Sequence, residues 1–390
     1  MVIINRFRQK KCNFTVINKV KFMELNKITF SESSNSDFYK ELRKRVNAYF
    51  KDNNISRFAN ANMVIKTIFM LSLYLVPFIL ILTVFEATWV IILMWVIMGI
   101  GMAGIGLSIM HDANHSAYSR NKHVNSFMGK LIYLIGGNDV NWRIQHNVLH
   151  HTYTNVDGMD EDIDTGFLMR FSPNQRLRKG HRFQHIYAWF LYGFMTIMWA
   201  TTKDYSQFAR YKKRGLTKTQ GLSNKAIFIA LITSKTTYIL ATLSLPIIFG
   251  AMSWWGTILC FLLMHFVTGL ILAMIFQPAH VVPTSNFPVP SATGVIETDW
   301  AMNQLLNTAN FAQKSRWFSW YVGGLNFQIE HHLFPNICHV HYRKISSIVR
   351  DTAFEYNLPY YSYKTFYEAL SGHARMLYNL GNDKDAPAIH

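Results

Sequence analysis

Apolar residues in this 390-residue chain are clumped rather than evenly spread. Residues 67–85 (TIFMLSLYLVPFILILTVF) carry no charge and are long enough to cross a bilayer, which takes roughly 20 apolar residues. Pro77 inside that run kinks a membrane helix without ending it. Residues 88–110 form a second run, rich in glycine near its end, and only the segment around Glu86 separates the two, so they predict a hairpin. Residues 226–252 and 256–276 make another pair around Ser253 to Trp255. Lys235 lies in this pair, and a charge at mid-membrane is costly, so the third crossing is predicted to start after it, at 236–252. Residues 186–200 (IYAWFLYGFMTIMWA) and 131–137 are apolar but short, and are assigned to the interface or a packed core.

Between the runs the chain is polar and basic. Residues 37–51 (DFYKELRKRVNAYFK) show an apolar stripe beside basic residues, the pattern of an amphipathic helix able to lie on a membrane. The net charge is +17, which suits an anionic partner, and no nucleic-acid motif accompanies it. Lysines and arginines number 14 in residues 1–66, 16 in 111–225 and eight after 276, while the hairpin tips carry none. By the positive-inside rule both termini and the long loop face the cytoplasm. The expected architecture is an all-α integral membrane protein with four transmembrane helices in two hairpins (67–85, 88–110, 236–252, 256–276). A helical cytoplasmic cap (111–235 and 277–345) holds a dimetal site, flanked by an N-terminal region (1–66) and a C-terminal tail (346–390). Residues 1–22 show no secretory signal, and Met23 is an alternative start. Three cysteines, Cys12, Cys260 and Cys338, form no metal-binding pair or disulfide framework.

Histidines stand where the apolar runs end. They occur as HDANH (His111, His115), HNVLHH (His146, His150, His151) and QIEHH (His331, His332, after Gln328), with His280 alone past the fourth run. Residues four apart share a helix face, so His111 with His115, and His146 with His150, can address one site. Neutral imidazole is the commonest side-chain metal ligand, and three boxes together can enclose two ions. The plain alternative, histidines used as caps or core, does not account for seven imidazoles in three tight clusters. His280 also fits a helix-end histidine interacting with the dipole. An imidazole shell does not choose its metal, since the Irving–Williams order favours zinc or copper over iron.

These residues resemble the membrane fatty-acid desaturase family, whose pattern is three histidine boxes around two membrane hairpins. The likeness runs from about residue 67 to 345 and includes GGNDVNWRIQHNVLHHTYTNVDG and NFQIEHHLFP. It implies two non-haem iron ions, held by the seven boxed histidines, His280 and Gln328, with O2 as co-substrate and a fatty-acyl chain as substrate. Gln328 at the head of the third box is similar to the front-end subgroup, which adds a double bond between an existing one and the carboxyl end. Many front-end enzymes carry a fused cytochrome b5 domain with an HPGG motif; this sequence has no HPGG, so a separate donor of ferredoxin or cytochrome b5 type is expected.

Around the boxes, Asp112, Asn147, Asp157, Asn310, Trp142 and Arg143 are candidate neighbours of metal or substrate. The acidic run Asp157, Asp160, Glu161, Asp162 and Asp164 is expected to supply one or two carboxylates that orient ligating imidazoles; a solvated loop is the plain alternative. Gln304, Thr308 and Asn310 are candidates for polar contacts near the metals. Arg143 is a candidate for a substrate phosphate or carboxylate. His123, His181, His185, His265, His339 and His341 are not assigned as ligands, and His265, inside a membrane run, is placed along a tunnel. Two other readings compete. One is a hydroxylase built on the same boxes. The other is a histidine-rich metal transporter, which calls for polar residues inside the spans that these runs nearly lack.

Overall fold

The computed structural model describes residues 28–31 and 36–384, so residues 1–22 and Met23 lie outside it. The first described helix, α1, is Ser36–Asp52. Four further helices are long and apolar enough to cross a membrane: Ala61–Thr83 (α2), Thr88–Asn114 (α3), Asn224–Phe249 (α5) and Trp254–His280 (α6). Between the two pairs, residues 139–150 form a helix (α4) that carries the second box. After α6 come Trp300–Asn307 (α7), Gln328–Leu333 (α8), Tyr342–Glu355 (α9) and Phe366–Gly381 (α10). Strand structure among the described residues is limited to two pairs of two-residue strands.

The glycines that thin the end of the second apolar run let helices touch. A Cβ on Gly101 would lie 2.8 Å from the backbone of Leu73 and Tyr74, and one on Gly99 would lie 2.8 Å from the Met264 carbonyl. So α3 packs closely on both α2 and α6, as small residues permit where water provides no driving force.

Three boundaries differ from the sequence expectation. The helix of the third span does not begin after Lys235. Ser223 caps α5 by accepting from the Ala226 N–H, and the helix runs through Lys235. The buried Lys235 ammonium donates to the carbonyls of Gly136 and Trp199 and pairs with the Asp204 carboxylate. That partner, far away in sequence, removes the cost that motivated a later start. The second difference is α1, whose apolar stripe is used internally. Phe38, Leu42 and Val46 pack with Leu333, Ile345 and Val349 instead of facing a bilayer. The third is the C-terminal tail. Residue 345 falls inside α9, and α10 buries Met376 and Leu377 against Tyr192 and Ala273.

Residues 184–203 form short, broken helices rather than a span. They pack on α6, where a Cβ on Gly269 would meet the carbonyls of Tyr192 and Gly193 at 2.7 Å. Ile186, Phe190 and Phe194 remain exposed on the far side.

Lys235 is the one formal charge in α5 beyond its first turn. Replacing Asp204 with Leu leaves its ammonium without a carboxylate, a change worth about 3–5 kcal/mol when a buried pair loses one member. The detergent-purified variant should show a clearly lower thermal midpoint by size-exclusion assay, and adding Lys235→Met should recover most of it. An unchanged midpoint in Asp204→Leu would refute this role.

Candidate metal centre

The ends of two membrane helices and two cap helices meet at one place. Helix α3 continues past the apolar run to bring His111 to the centre, with His115 at its C-cap. Helix α6 extends to its last residue, His280. Helix α4 brings the second box and α8 the third.

Local backbone decides which imidazoles pair. Residues 143–150 form a widened turn, with the His151 N–H bonded to the His146 carbonyl five residues back. Such π-type turns shift side chains relative to an α-helix and recur at functional sites. The sequence expectation set His146 beside His150. The two do lie together, their rings stacked 5.2 Å apart and grouped with Asp162. In addition His146 Nε2 stands 3.2 Å from His151 Nε2, and His150 also groups with His280 and His332.

Two groups of nitrogens result. In the first, ligand atoms of His111, His115, His146 and His331 lie within 4.8 Å of one another. His111 Nε2 is 3.2 Å from His146 Nε2, and His151 Nε2 is 3.0 Å from His331 Nε2. In the second, His150, His280 and His332 lie within the same limit. His151 belongs with both, because it also groups with His331 and His332.

These nitrogens satisfy one another only in part, through His111–His146, His146–His151 and His151–His331. The Nε2 atoms of His115, His150, His280 and His332 are buried without a hydrogen-bond partner. Neutral imidazole has one donor and one acceptor nitrogen, so orphaned nitrogens gathered at one point suit a cation rather than a proton network. Burial, then the neighbouring imidazoles, hold His146, His151, His331 and His332 well below the usual imidazole range, so they are neutral and fit to ligate. The donor set therefore fits two metal ions.

Opposite nitrogens fix the ring orientations. His150 Nδ1–H donates to Asp160 at 2.9 Å. Burial pulls its pKa down, but Asp160, with Asp162 behind it, outweighs that and leaves it raised. His280 Nδ1–H donates to the Asn307 carbonyl at 3.1 Å, and His332 Nδ1–H to the Gln304 side-chain carbonyl at 2.8 Å. His331 Nδ1 pairs with the Tyr342 hydroxyl at 3.2 Å. Such partners set tautomer and direction.

Gln328 lies on α8 with its amide toward His280, and neither buried amide atom makes a hydrogen bond of good geometry. Glu330, between Gln328 and His331, points elsewhere. It accepts from Tyr360 at 2.7 Å and Asn310 at 2.9 Å, and burial pushes its pKa up to about 7. Asn310 also accepts from the Ile329 N–H, so it anchors the third box from outside.

The remaining candidates have other partners. Asp112 accepts from His339 Nδ1 at 2.7 Å and from the His339 backbone N–H, while it is 3.8 Å from His111. His339 in turn meets the buried Lys66 ammonium at 2.6 Å, a chain that sequence spacing gave no sign of. Asp157 accepts from Ser172 at 3.4 Å, and the acid on the box histidine is Asp160. Asn147 donates to the Asn114 carbonyl. Trp142 packs its ring 4.5 Å from that of His146. Arg143 is engaged by Asp139, Asn114 and Gln220 instead of facing an open anion site. Thr308 bonds back to the Gln304 carbonyl. His265 is held by Tyr238 and Thr196, so both of its ring nitrogens are satisfied.

Comparison with known proteins agrees with this geometry. The sequence profile of the fatty acid desaturase family matches residues 87–364. The chain is 34% identical over 365 residues to the sn-1 linoleoyl-lipid 6-desaturase of Arthrospira platensis, covering 93% of this chain and 97% of that protein. It is also 34% identical to the acyl-lipid (8-3)-desaturase of Physcomitrium patens, over 91% of this chain and 74% of that protein. The acyl-lipid (8-3)-desaturase B of Dictyostelium discoideum is 31% identical, over 90% and 77%. The chain belongs to the fatty acid desaturase family and is a membrane oxidoreductase that desaturates fatty-acyl chains.

Asp160→Asn removes the charged acceptor behind His150, and metal affinity should fall about 10–100-fold, as for other partners of ligating histidines. His332→Ala should cost the second group its ion and leave the first. Elemental analysis of metal-titrated protein checks both. Full retention in both variants would contradict the assignment.

Proposed function

We propose that this member of the fatty acid desaturase family is a front-end desaturase of membrane acyl lipids, working with two iron ions held by His111, His115, His146, His150, His151, His280, His331 and His332. The convergence of those residues, four of whose Nε2 atoms are buried without a partner, carries the reading of the centre. The front-end assignment rests on Gln328 and on relatives named 6-desaturase and (8-3)-desaturase. When bound, the iron pair supplies O2 activation for removing hydrogen from two adjacent methylenes.

The chain's own residues hold the site. The imidazoles bind, while Asp160, Gln304, Asn307 and Tyr342 keep each ring turned inward. Burial of the whole cluster keeps bulk water from the reacting carbons. Gln328, a neutral amide beside His280, is the ninth candidate ligand. It binds through its carbonyl or leaves that position to substrate. Asp112, Asn147, Asp157, Asn310, Trp142 and Arg143 act at one remove, by supporting helices or packing on the rings.

All the boxes lie on one side of the membrane, and the lysine and arginine distribution makes that side cytoplasmic. The catalytic unit expected at residues 67–345 extends to the end of α9, and α1 and α10 support it. Electrons come from a separate carrier of ferredoxin or cytochrome b5 type.

Expression in a host lacking polyunsaturated lipids, with defined unsaturated fatty acids supplied, should give products whose new double bond lies on the carboxyl side of the existing one. Mass spectrometry of the products and elemental analysis of the protein check this, with iron required for turnover. Bonds placed on the methyl side, hydroxylated products, or full activity with zinc alone would each overturn part of the proposal. Gln328→Leu should lower product more than iron content, whereas wild-type turnover would make the glutamine mere packing.

A further inference from the structure

Unlike the boxed ligands, His280 has no second histidine close by in the chain to share its helix turn, so its direction is set by other groups. It is the last residue of α6, and a helix end leaves its final carbonyls without partners in the helix. Three distant segments take them. The Ala279 carbonyl accepts from the Ala309 N–H at 2.9 Å, and the Val281 carbonyl accepts from His373 Nδ1–H at 2.8 Å. Between them, the His280 carbonyl accepts from the Asn155 side-chain amide at 2.8 Å.

Asn155 differs from the other two because it also reaches the second box. It is fully buried and left-handed, with φ of 58°, a conformation that Asn adopts more readily than most residues. Its backbone N–H lies 2.9 Å from the Asp160 oxygen that also accepts from His150 Nδ1–H. Its amide nitrogen faces two carbonyls, those of His280 at 2.8 Å and Asn286 at 3.3 Å, which suits the donor end of an amide.

Thr154, the preceding residue, meets the third ligand. Its buried hydroxyl lies 2.7 Å from the His150 carbonyl, 2.8 Å from Gln304 Oε1 and 3.2 Å from His332 Nδ1. The Thr154 carbonyl accepts from the Asn303 amide at 3.1 Å, and Asn303 accepts from the Asn307 amide at 2.9 Å. The Asn307 carbonyl in turn takes His280 Nδ1–H. A closed ring of hydrogen bonds therefore runs from Asn155 through His280, Asn307 and Asn303 back to Thr154. The ligands that this dipeptide touches or bridges, His150, His280 and His332, are those of the second group.

We infer that Thr154 and Asn155 are positioning residues for the second metal group. The pair aims His150, His280 and His332 at one point, and so sets the affinity of the second ion separately from that of the first. The inference rests on the two-ion reading of the centre.

Three full-length variants test it. Asn155→Gly tolerates the left-handed backbone and deletes the amide. Thr154→Val deletes the hydroxyl at nearly the same shape, and Thr154→Ser keeps it. Purified protein stripped of metal is titrated with Co(II) alone, and binding is followed by the visible ligand-field absorption of the ion. Wild type should bind two ions. Asn155→Gly and Thr154→Val should each weaken the second ion about 10–100-fold, as loss of a ligand's supporting partner does, with the first ion and its spectrum unchanged. Thr154→Ser should bind both ions as wild type does. A second ion held at wild-type strength in either deletion variant would overturn the role of that residue. Equal weakening of both ions, or a Thr154→Ser as weak as Thr154→Val, would mean a general loss of packing and overturn the inference. If Asn155→Gly fails to accumulate, Thr154→Val against Thr154→Ser decides it. A wild type that binds a single ion would overturn the two-ion reading itself, and the inference with it.

Discussion

Buried nitrogen lone pairs that have no proton to share are the constraint on which this structure depends. Eight imidazoles converge within a few ångströms, and several of their Nε2 atoms have no hydrogen-bond partner. Burial and the neighbouring imidazoles hold four of them well below the usual imidazole range, which leaves their lone pairs free for a cation. A cation is the one species that satisfies them together. Much of the neighbouring polar structure follows from that. Asp160, Gln304, Asn307 and Tyr342 take the opposite nitrogens and turn the rings inward.

The membrane helices serve this arrangement by ending at the right place. Helices α3 and α6 run past their apolar stretches and finish at the histidine cluster, α3 with His115 at its C-cap and α6 with His280. Two hairpins return the chain to the same side each time, so boxes far apart in sequence share one centre. Glycines in α3 let it touch both α2 and α6, which fixes where its last turn emerges. The cap then closes on this platform: α1 buries its apolar face against α9, and α9 supplies Tyr342 to His331.

What the sequence shows and what it hides divide along physical lines. The four apolar runs and three boxes are legible because burial in lipid and ligand spacing leave local patterns. Hidden features depend on partners distant in the chain. Lys235 looked like a reason to delay a crossing until Asp204, on another helix, met it. The stripe on α1 fits a membrane surface equally well until α9 covers it. Asp157 and Asp160 are equivalent in the sequence, and only the fold of their loop selects Asp160. The contact of His146 with His151, added to the one with His150 that four-residue spacing does announce, depends on a π-type turn. The Lys66–His339–Asp112 chain joins three distant segments and had no sequence signal.

The central claim is that two ions sit in a shell made almost entirely of imidazole. X-ray absorption spectroscopy at the iron edge of iron-loaded protein tests it most directly. The account predicts two irons per chain, strong imidazole multiple scattering and no sulfur shell, with Cys260 and Cys338 uninvolved. One iron per chain, a sulfur shell, or a shell dominated by carboxylate oxygen would contradict it.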